Sequence, residues 1–464
     1  MHVRELQWIE PVSAMRRLAR RAHLTFFDSA ARHESLGRYS FLACDPFITY
    51  VVKDGQASCN EWALDRDPWG ALRTLLASFP QEHRPDLPPF QGGAAGFFGY
   101  DLNRTLERLP APTILGQSLP QAILNLYDVV VSFDHRDDRC WIVSTGWPER
   151  DPARRGERAR RRADEFAALL AGPEAPLSNS LSILGTWHSS FSRESYTAAV
   201  QRVIDLILAG DVFQANIAQR FSARLADSFD PIAFYCRLRS LNPAPFAALL
   251  RYGKLTIASS SPERFLKLDA QQVETRPIKG TIARSADFRE DQRRAQFLLA
   301  SEKDRAENTM IVDLLRSDLS RVCTAESVEL SALCELETYA SVHHLVSVVT
   351  GEIASDQDAV SLLRACFPGG SITGAPKVRA MQIITEIEGV ARNVYCGAIG
   401  FIGFNGHMDT NIAIRTVTID DGLAAFHAGS GITAMSKPEA EYEETLAKAQ
   451  RIFDAFHADS FGVS

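Results

Sequence analysis

The chain has 464 residues, of which 45% are hydrophobic and 23% charged, and its formal net charge is −7. This length allows a large core and two or three domains, and the composition is that of a globular protein. The acidic balance gives no general reason to expect binding to nucleic acid or to a membrane. Charge recurs directly after Met1, and no stretch reaches the ~20 apolar residues of a membrane helix, so we expect no signal peptide and a cytoplasmic protein.

The eight cysteines are scattered along the chain without a Cys-x-x-Cys pair. This pattern argues against a zinc ribbon and against a redox motif. We therefore expect free, buried thiols in a reducing compartment.

Three regions are predicted along the sequence. Residues 1–150 contain strand-like runs separated by Gly and Pro, residues 151–190 contain an arginine-rich helix and a linker, and residues 191–464 mix helices and strands without regular βαβ order. This organisation predicts an α+β fold. The predicted elements, in chain order, are strands over 39–43, 47–52, 122–133 and 140–145, helices over 154–170 and 193–209, strands over 246–251 and 255–258, a helical region over 287–318, a helix over 378–388, a strand over 409–416 and a helix over 436–456.

One lysine stands on a stiff segment, Thr275-Arg276-Pro277-Ile278-Lys279-Gly280-Thr281. Proline fixes φ on one side of Lys279, and glycine allows close approach to the backbone on the other. Burial would lower the pKa of this lysine and leave a free amine that acts as a nucleophile. A solvated loop lysine is the alternative, and this segment taken alone favours it.

Two acidic pairs follow at helical spacing, Asp304 with Glu307 and Glu441 with Glu444. A separation of three places the carboxylates of each pair on one face of a helix. Four carboxylates from two helices suit a hard cation, and Mg²⁺ fits best because it takes oxygen ligands and keeps several waters. Two solvated acidic faces are the alternative.

A glycine-rich segment over 367–377 leads into a predicted helix, a place where free backbone N–H groups bind anions. Gly369 and Gly374 have the spacing of a phosphate-binding loop. Ala375, however, stands where that loop needs lysine, so the sequence disfavours nucleotide binding.

A second glycine cluster, His427-Ala428-Gly429-Ser430-Gly431-Ile432-Thr433, suits close backbone contact with a carboxylate. The preceding segment over 409–416 alternates as a strand does and offers Arg415 for bidentate binding of a carboxylate.

The order of these segments resembles that of the chorismate-utilising enzymes, the family that includes anthranilate synthase component I and the isochorismate and salicylate synthases. The resemblance covers nearly the whole chain. It implies an α+β fold of large antiparallel sheets packed together with helices on the outside. The segments that carry it are 37–42, 92–101, 261–265, 276–281, 303–315, 368–377, 409–416 and 429–445.

Within this family, Lys279 separates two branches. Members that aminate chorismate at C4 typically carry lysine in Pro-Ile-Lys-Gly-Thr, whereas the anthranilate synthases carry alanine. The resemblance therefore implies a transferase that uses ammonia to give 4-amino-4-deoxychorismate, in the para-aminobenzoate branch of folate biosynthesis. Gln214 agrees with ammonia as the nucleophile, since the water-using members place a lysine base at or beside this point. The alternatives are an anthranilate synthase component I and a non-catalytic ligand-binding subunit.

The resemblance also implies roles for the site residues. Lys279 attacks C2, and Glu263 protonates the departing C4 hydroxyl, which requires a pKa raised by burial among other carboxylates. Sixteen residues separate the two, so adjacent strands can bring them together. His344 matches an active-site histidine of the family, and an orienting hydrogen bond is the alternative to a catalytic role. The expected magnesium ligands are Glu307 and Glu444. Asp304 and Glu441 are expected to act through a water molecule or through contacts with the residues that bind the metal. The residues expected to bind the enolpyruvyl carboxylate or line the pocket are Ser371, Tyr395, Arg415, Gly429 and Gly431.

Two further expectations concern partners. The chain has no Gly-x-Cys-x-Gly elbow, so a separate glutamine amidotransferase is expected to supply ammonia. Residues 1–150 are similar to those of the anthranilate synthases, and this suggests, as an open hypothesis, a tryptophan pocket at Ser29, Arg38, Tyr39 and Ser40.

Overall fold

Two large antiparallel sheets pack face to face in the computed structural model, which describes residues 1–31, 36–59, 64, 66–114, 116–178, 180–339 and 342–457. The strands are β1 (His2–Leu6), β2 (Leu24–Asp28), β3 (Tyr39–Ala43), β4 (Ile48–Lys53), β5 (Gln56–Cys59), β6 (Gly93–Phe98), β7 (Ala122–Tyr127), β8 (Val129–Asp134), β9 (Arg139–Ser144), β10 (Ile183–Ser189), β11 (Gln214–Leu225), β12 (Phe246–Tyr252), β13 (Leu255–Ser261), β14 (Arg264–Asp269), β15 (Gln272–Thr275), β16 (Ile278–Ala283), β17 (Glu329–Thr338), β18 (Val342–Glu352), β19 (Gly374–Ala375), β20 (Ala398–Gly403), β21 (Met408–Ile412), β22 (Thr416–Asp420) and β23 (Leu423–Ile432). The helices are α1 (Pro11–Arg17), α2 (Pro68–Ala77), α3 (Pro152–Leu170), α4 (Arg193–Leu208), α5 (Pro231–Leu241), α6 (Phe288–Leu299), α7 (Glu302–Leu319), α8 (Ala359–Cys366), α9 (Lys377–Glu388) and α10 (Pro438–Phe456), with 3₁₀ turns at Tyr100–Thr105 and Gly370–Ile372.

The first sheet has the order β1-β9-β8-β3-β2-β12-β13-β22-β23-β11-β10, and β19 pairs with β11. The second has the order β16-β18-β15-β14-β21-β20-β6-β7-β4-β5, and β17 pairs with β18. Each sheet therefore contains strands from before residue 150 and from after residue 191. The division into three regions stays a prediction about the sequence.

The core lies between the sheets and beneath the helices. Phe97 and Ile123 of the second sheet pack against Leu250 and Ile257 of the first. On the outer face of the first sheet lie α3, α5 and α10, and on that of the second lie α2, α7 and α8. Burial of apolar side chains in these layers is the main stabilising force. The predicted α+β architecture, with packed antiparallel sheets and outer helices, is confirmed.

Most predicted elements are present, with three corrections. The run over 122–133 is two strands, because the chain passes from the second sheet to the first at Asp128. The helical region over 287–318 is two helices, since Ser301 caps a new helix by accepting a hydrogen bond from the Asp304 amide. The strand over 409–416 ends at Ile412, and Arg415 lies in the link that follows it.

All eight cysteines are free thiols, and six of them are buried. In the part of the chain that the structure describes, no helix is both long enough and apolar enough to span a membrane.

Candidate active site

The candidate site lies where two paired strands leave one sheet and enter the other. Strand β13 of the first sheet continues through residues 262–263 into β14 of the second, and β21 of the second continues through residues 413–415 into β22 of the first. The two links run side by side, since the Ile412 amide donates to the Glu263 carbonyl at 3.0 Å. This crossing places Glu263 and Arg415 at the point where the sheets separate.

Ser371 connects the predicted nucleophile and the predicted acid. The Lys279 ammonium donates to the Ser371 carbonyl at 3.0 Å, and the Ser371 hydroxyl donates to Glu263 Oε1 at 2.7 Å. Ser371 sits in the 3₁₀ turn that precedes β19. The glycine-rich segment thus holds the lysine and the carboxyl group in one hydrogen-bonded chain.

The protonation of these two groups is set by burial. Glu263 is 5% exposed, and burial raises its pKa to about 7, although Ser371 and Lys279 act in the opposite direction. Burial also lowers the pKa of Lys279, against the attraction of Glu307 and Glu263. Near neutral pH the Glu263 carboxyl group therefore has a proton to donate. Deprotonation of Lys279 to the free amine also becomes easier.

Two details differ from the sequence-based expectation. The pKa of Glu263 rises through burial, and no carboxylate of the described residues is among the main causes of that rise. Lys279 and Glu263 also do not lie on adjacent strands, because β18, β15 and β14 follow β16 in the sheet order and Glu263 precedes β14. Ser371 joins them across this gap.

His344 lies on β18 and faces β16. Its Nδ1 shares a hydrogen bond of 2.7 Å with the Thr281 hydroxyl, and its ring meets the Tyr339 ring edge-on at 5.4 Å. Burial lowers the pKa of His344 to about 3, with further contributions from Arg415 and His343. The imidazole is therefore neutral at physiological pH, and Thr281 fixes the orientation of its ring.

Gln214 and Gly431 meet on the other sheet. A Cβ added to Gly431 would stand 2.0 Å from Gln214 Nε2 and 3.5 Å from Lys279 Nζ, so glycine is required for the glutamine to lie beside the lysine. Gln214 is 2% exposed, and its Oε1 has no hydrogen-bond partner among the described residues. The Gln214 side chain therefore keeps a free acceptor.

The backbone of β23 offers N–H groups at its open edge. Gly429 faces Ala218 and Gly431 faces Asn216, yet the Ala218 amide bonds to Glu388 and the Asn216 amide to Thr373. Neither glycine therefore forms the hydrogen-bonded type of pair with β11, and both direct their N–H groups away from it. The pairing of β22 with β23 stops at Phe426, so β22 does not cover the N–H groups of Gly429 and Gly431.

Arg415 has the left-handed backbone conformation, with φ 49°, as the chain turns into β22. Within the described ranges its guanidinium has no hydrogen-bonded or ion-pair partner, and burial lowers its pKa while Glu263 raises it. Such a guanidinium suits a carboxylate ligand. The residue after Tyr395 is tied to the same link, since the Cys396 amide donates to the Ala413 carbonyl at 2.9 Å. The Tyr395 ring stacks on His427 with centroids 5.0 Å apart.

The four predicted metal-binding carboxylates surround a lysine that the sequence analysis did not single out. Lys303 Nζ lies 3.6 Å from Glu441 Oε1 and 3.9 Å from Glu307 Oε1, and the charges of Glu444 and Asp304 also act on it. Burial lowers the pKa of Lys303, but these carboxylates outweigh burial and raise it. Helices α7 and α10 therefore bring all four carboxylates to one place.

The carboxylates differ in their other contacts. Glu441 accepts hydrogen bonds from the Ser430 and Ser436 hydroxyls, and Asp304 accepts one from Ser301. Glu307 Oε1 is buried without a hydrogen-bond partner, and burial raises the pKa of Glu307.

No three Asp, Glu, His or Cys side chains among the described residues stand close enough to form a complete metal cage. Mg²⁺ commonly takes only one or two carboxylates and keeps waters for substrate to replace. Glu307, with its unsatisfied buried oxygen, and Glu444 fit a site of this kind.

Lys448 is a further residue at the site that sequence reasoning missed. Its ammonium bonds to the Gly429 carbonyl at 3.0 Å and to Glu444 Oε1 at 2.7 Å. Burial raises the pKa of Glu444, but the charges of Lys448, Lys303 and Lys279 together outweigh burial and lower it. The spacing of four from Glu444 on a predicted helix is a signal that would have identified this residue.

The residues of the suggested tryptophan pocket lie together on β2 and β3 and just outside them. The Ser29 hydroxyl donates to the Tyr39 carbonyl at 2.6 Å, and the Ser29 amide donates to Ser40 Oγ at 3.0 Å. Arg38 pairs with Asp134 at 2.7 Å and stacks over the Tyr39 ring. Strand β12 lies between this group and β13, the strand that leads into the crossing. Tryptophan binding stays a prediction.

The family model of the chorismate binding enzymes matches residues 24–454. The chain belongs to this family. It is 41% identical to "Aminodeoxychorismate synthase component 1" of Salmonella typhimurium, over 89% of each chain. It is 38% identical to "Anthranilate synthase component 1" of Thermus thermophilus, over 98% of this chain and 96% of the relative. Among solved structures, anthranilate synthase component I from Streptococcus pneumoniae matches with a TM-score of 0.80 and 33% identity, over 89% of this chain and 92% of the other.

These likenesses confirm the predicted resemblance to aminodeoxychorismate synthase component I and its relative anthranilate synthase component I, and they identify the protein as an enzyme of this type. They leave the roles of individual residues as predictions.

Proposed function

We propose that the protein aminates chorismate at C4 with ammonia and releases 4-amino-4-deoxychorismate, the reaction of the para-aminobenzoate branch of folate biosynthesis. The arrangement Lys279–Ser371–Glu263 carries this proposal, because it sets an amine of lowered pKa beside a carboxyl group with a pKa of about 7. Relatives named for this activity support it, and so does the lysine typical of the C4-aminating branch.

Arg415 and the free N–H groups of Gly429 and Gly431 hold the enolpyruvyl carboxylate in this proposal, since they supply unpaired donors where the sheets separate. A magnesium ion held by Glu307 and Glu444 would orient the ring carboxylate and balance its charge.

The reaction proceeds by two displacements. The neutral Lys279 amine adds to C2 as the C4–O bond breaks, and Glu263 gives its proton to the hydroxyl, which leaves as water. Ammonia then adds to C4, the C2–N bond to Lys279 breaks, and the proton released by the added nitrogen restores the acid. The free Gln214 Oε1 accepts a hydrogen bond from the incoming ammonia. Neutral His344 orients the ring through a hydrogen bond.

The ammonia comes, in this proposal, from a separate glutamine amidotransferase, in agreement with the "component 1" in the names of the relatives. The reaction takes place in the cytoplasm.

The test is product analysis with chorismate, ammonium and Mg²⁺. Formation of 4-amino-4-deoxychorismate, which an added lyase converts to para-aminobenzoate, supports the proposal. Fluorescent anthranilate formed without lyase would instead show an anthranilate synthase, and no turnover under any of these conditions would favour a non-catalytic subunit.

A further inference from the structure

The carboxylate cluster contains its own cations. The cluster consists of Asp304, Glu307, Glu441 and Glu444, and it is contacted by the ammonium groups of Lys303 and Lys448. The charges of Asp304 and Glu441 act on Glu307, so the carboxylates repel one another unless cations compensate them. Lys303 and Lys448 offset two of the four carboxylate charges, and the excess of negative charge that remains attracts a divalent cation.

The two lysines are held differently. Lys448 is tied to Glu444 at 2.7 Å and to the Gly429 carbonyl at 3.0 Å. Among the described residues, the carboxylate oxygen nearest to the Lys303 ammonium lies 3.6 Å away, and the Lys303 side chain is 41% exposed. Its contacts are with Glu441 and with Glu307 Oε1, the buried oxygen that lacks a hydrogen bond. A flexible lysine stem with access to solvent can move its charge out of the cluster when another cation arrives.

We propose that Lys303 is a resident counter-ion of the carboxylate cluster, which stabilises the metal-free enzyme and weakens its affinity for Mg²⁺ so that the ion exchanges readily. This inference rests on the magnesium site of the proposed function. Lys303 is a positioning residue in this view, because it acts on the carboxylates and not on the reacting atoms.

The inference is tested by calorimetric titration of Mg²⁺ into substrate-free protein. Lys303→Met is expected to bind Mg²⁺ about tenfold more tightly than the wild type, since loss of one nearby, partly screened positive charge strengthens the attraction for a dication. Lys303→Arg retains the charge and should bind as the wild type does. Arg305→Met, on the exposed side of the same helix turn, is the matched control for net charge and should change the affinity less than about twofold. Unchanged or weaker binding in Lys303→Met would overturn the inference.

Thermal unfolding in EDTA provides a second readout. Metal-free Lys303→Met is expected to melt at a lower temperature than the wild type, and Mg²⁺ should raise its melting temperature by more than it raises that of the wild type. A variant that folds only with Mg²⁺ present would also support the inference, and Lys303→Gln replaces Lys303→Met if the latter does not fold at all.

The two proposals fail in different ways. If the wild type binds no Mg²⁺, the metal part of the proposed function is wrong, and the counter-ion role is then decided by unfolding in EDTA alone. An unchanged melting temperature for Lys303→Met in EDTA would contradict that role.

Discussion

Replacing Glu263 by glutamine is expected to remove a pH-dependent part of the free energy of unfolding. In the unfolded chain this carboxyl group loses its proton near its ordinary pKa of 4.5, whereas burial holds the proton in the folded protein up to about pH 7. Between these values the unfolded state binds fewer protons, so the wild type loses stability as the pH rises. The difference between the two pKa values corresponds to about 3 kcal/mol of unfolding free energy, at ~1.36 kcal/mol per pH unit.

The measurement is urea unfolding of the wild type and of Glu263→Gln from pH 4.5 to pH 8. Groups remote from Glu263 titrate alike in both proteins, so the difference between the two free energies reports on Glu263 and on the two cations that its charge affects, Lys279 and Arg415. The wild type should lose about 3 kcal/mol relative to the variant across the range. Glu157→Gln, which removes an exposed carboxyl group, should show no such trend. A difference between wild type and Glu263→Gln that stays constant with pH would refute the role of burial.

Two substitutions test the geometry around the acid and the amine. Ser371→Ala removes the hydrogen-bond donor that lowers the pKa of Glu263. The high-pH limb of the pH–rate profile should therefore move to higher pH, and the rate should fall by about tenfold. A high-pH limb that does not move would contradict the contact between Ser371 and Glu263. Gly431→Ala forces Gln214 aside and should lower kcat about 100-fold, while circular dichroism shows that the fold is retained. The control is Gly156→Ala, where the added methyl group meets open space and kcat should not change. Normal turnover by Gly431→Ala would show that Gln214 has no part in the reaction.

The local part of the site was predictable from sequence. The acidic pairs on α7 and α10 follow from helical periodicity, which depends only on neighbours in the chain, and the helices formed where the pattern predicts them. The same periodicity places Lys303 four residues before Glu307 and Lys448 four residues after Glu444. These two lysines were therefore within reach of sequence reasoning.

The long-range part was not predictable in this way. Arg415 follows an alternating run that continues the pattern of a strand, but the chain leaves one sheet there and enters the other, and alternation carries no signal for such a crossing. The position of Ser371 between Lys279 and Glu263 depends on how a distant turn packs against the crossing. The cause of the raised pKa of Glu263 likewise required the packed structure, because burial is a property of the fold.

The proposed mechanism depends most on Lys279 as a nucleophile. Wild-type protein incubated with chorismate and Mg²⁺ but without ammonia should gain the mass of chorismate less one water, and peptide mapping should place that mass on Lys279. Addition of ammonium should then discharge the adduct as 4-amino-4-deoxychorismate, and Lys279→Ala should neither gain mass nor turn over. Full activity of Lys279→Ala with ammonium, together with an unmodified wild-type lysine, would contradict the central claim.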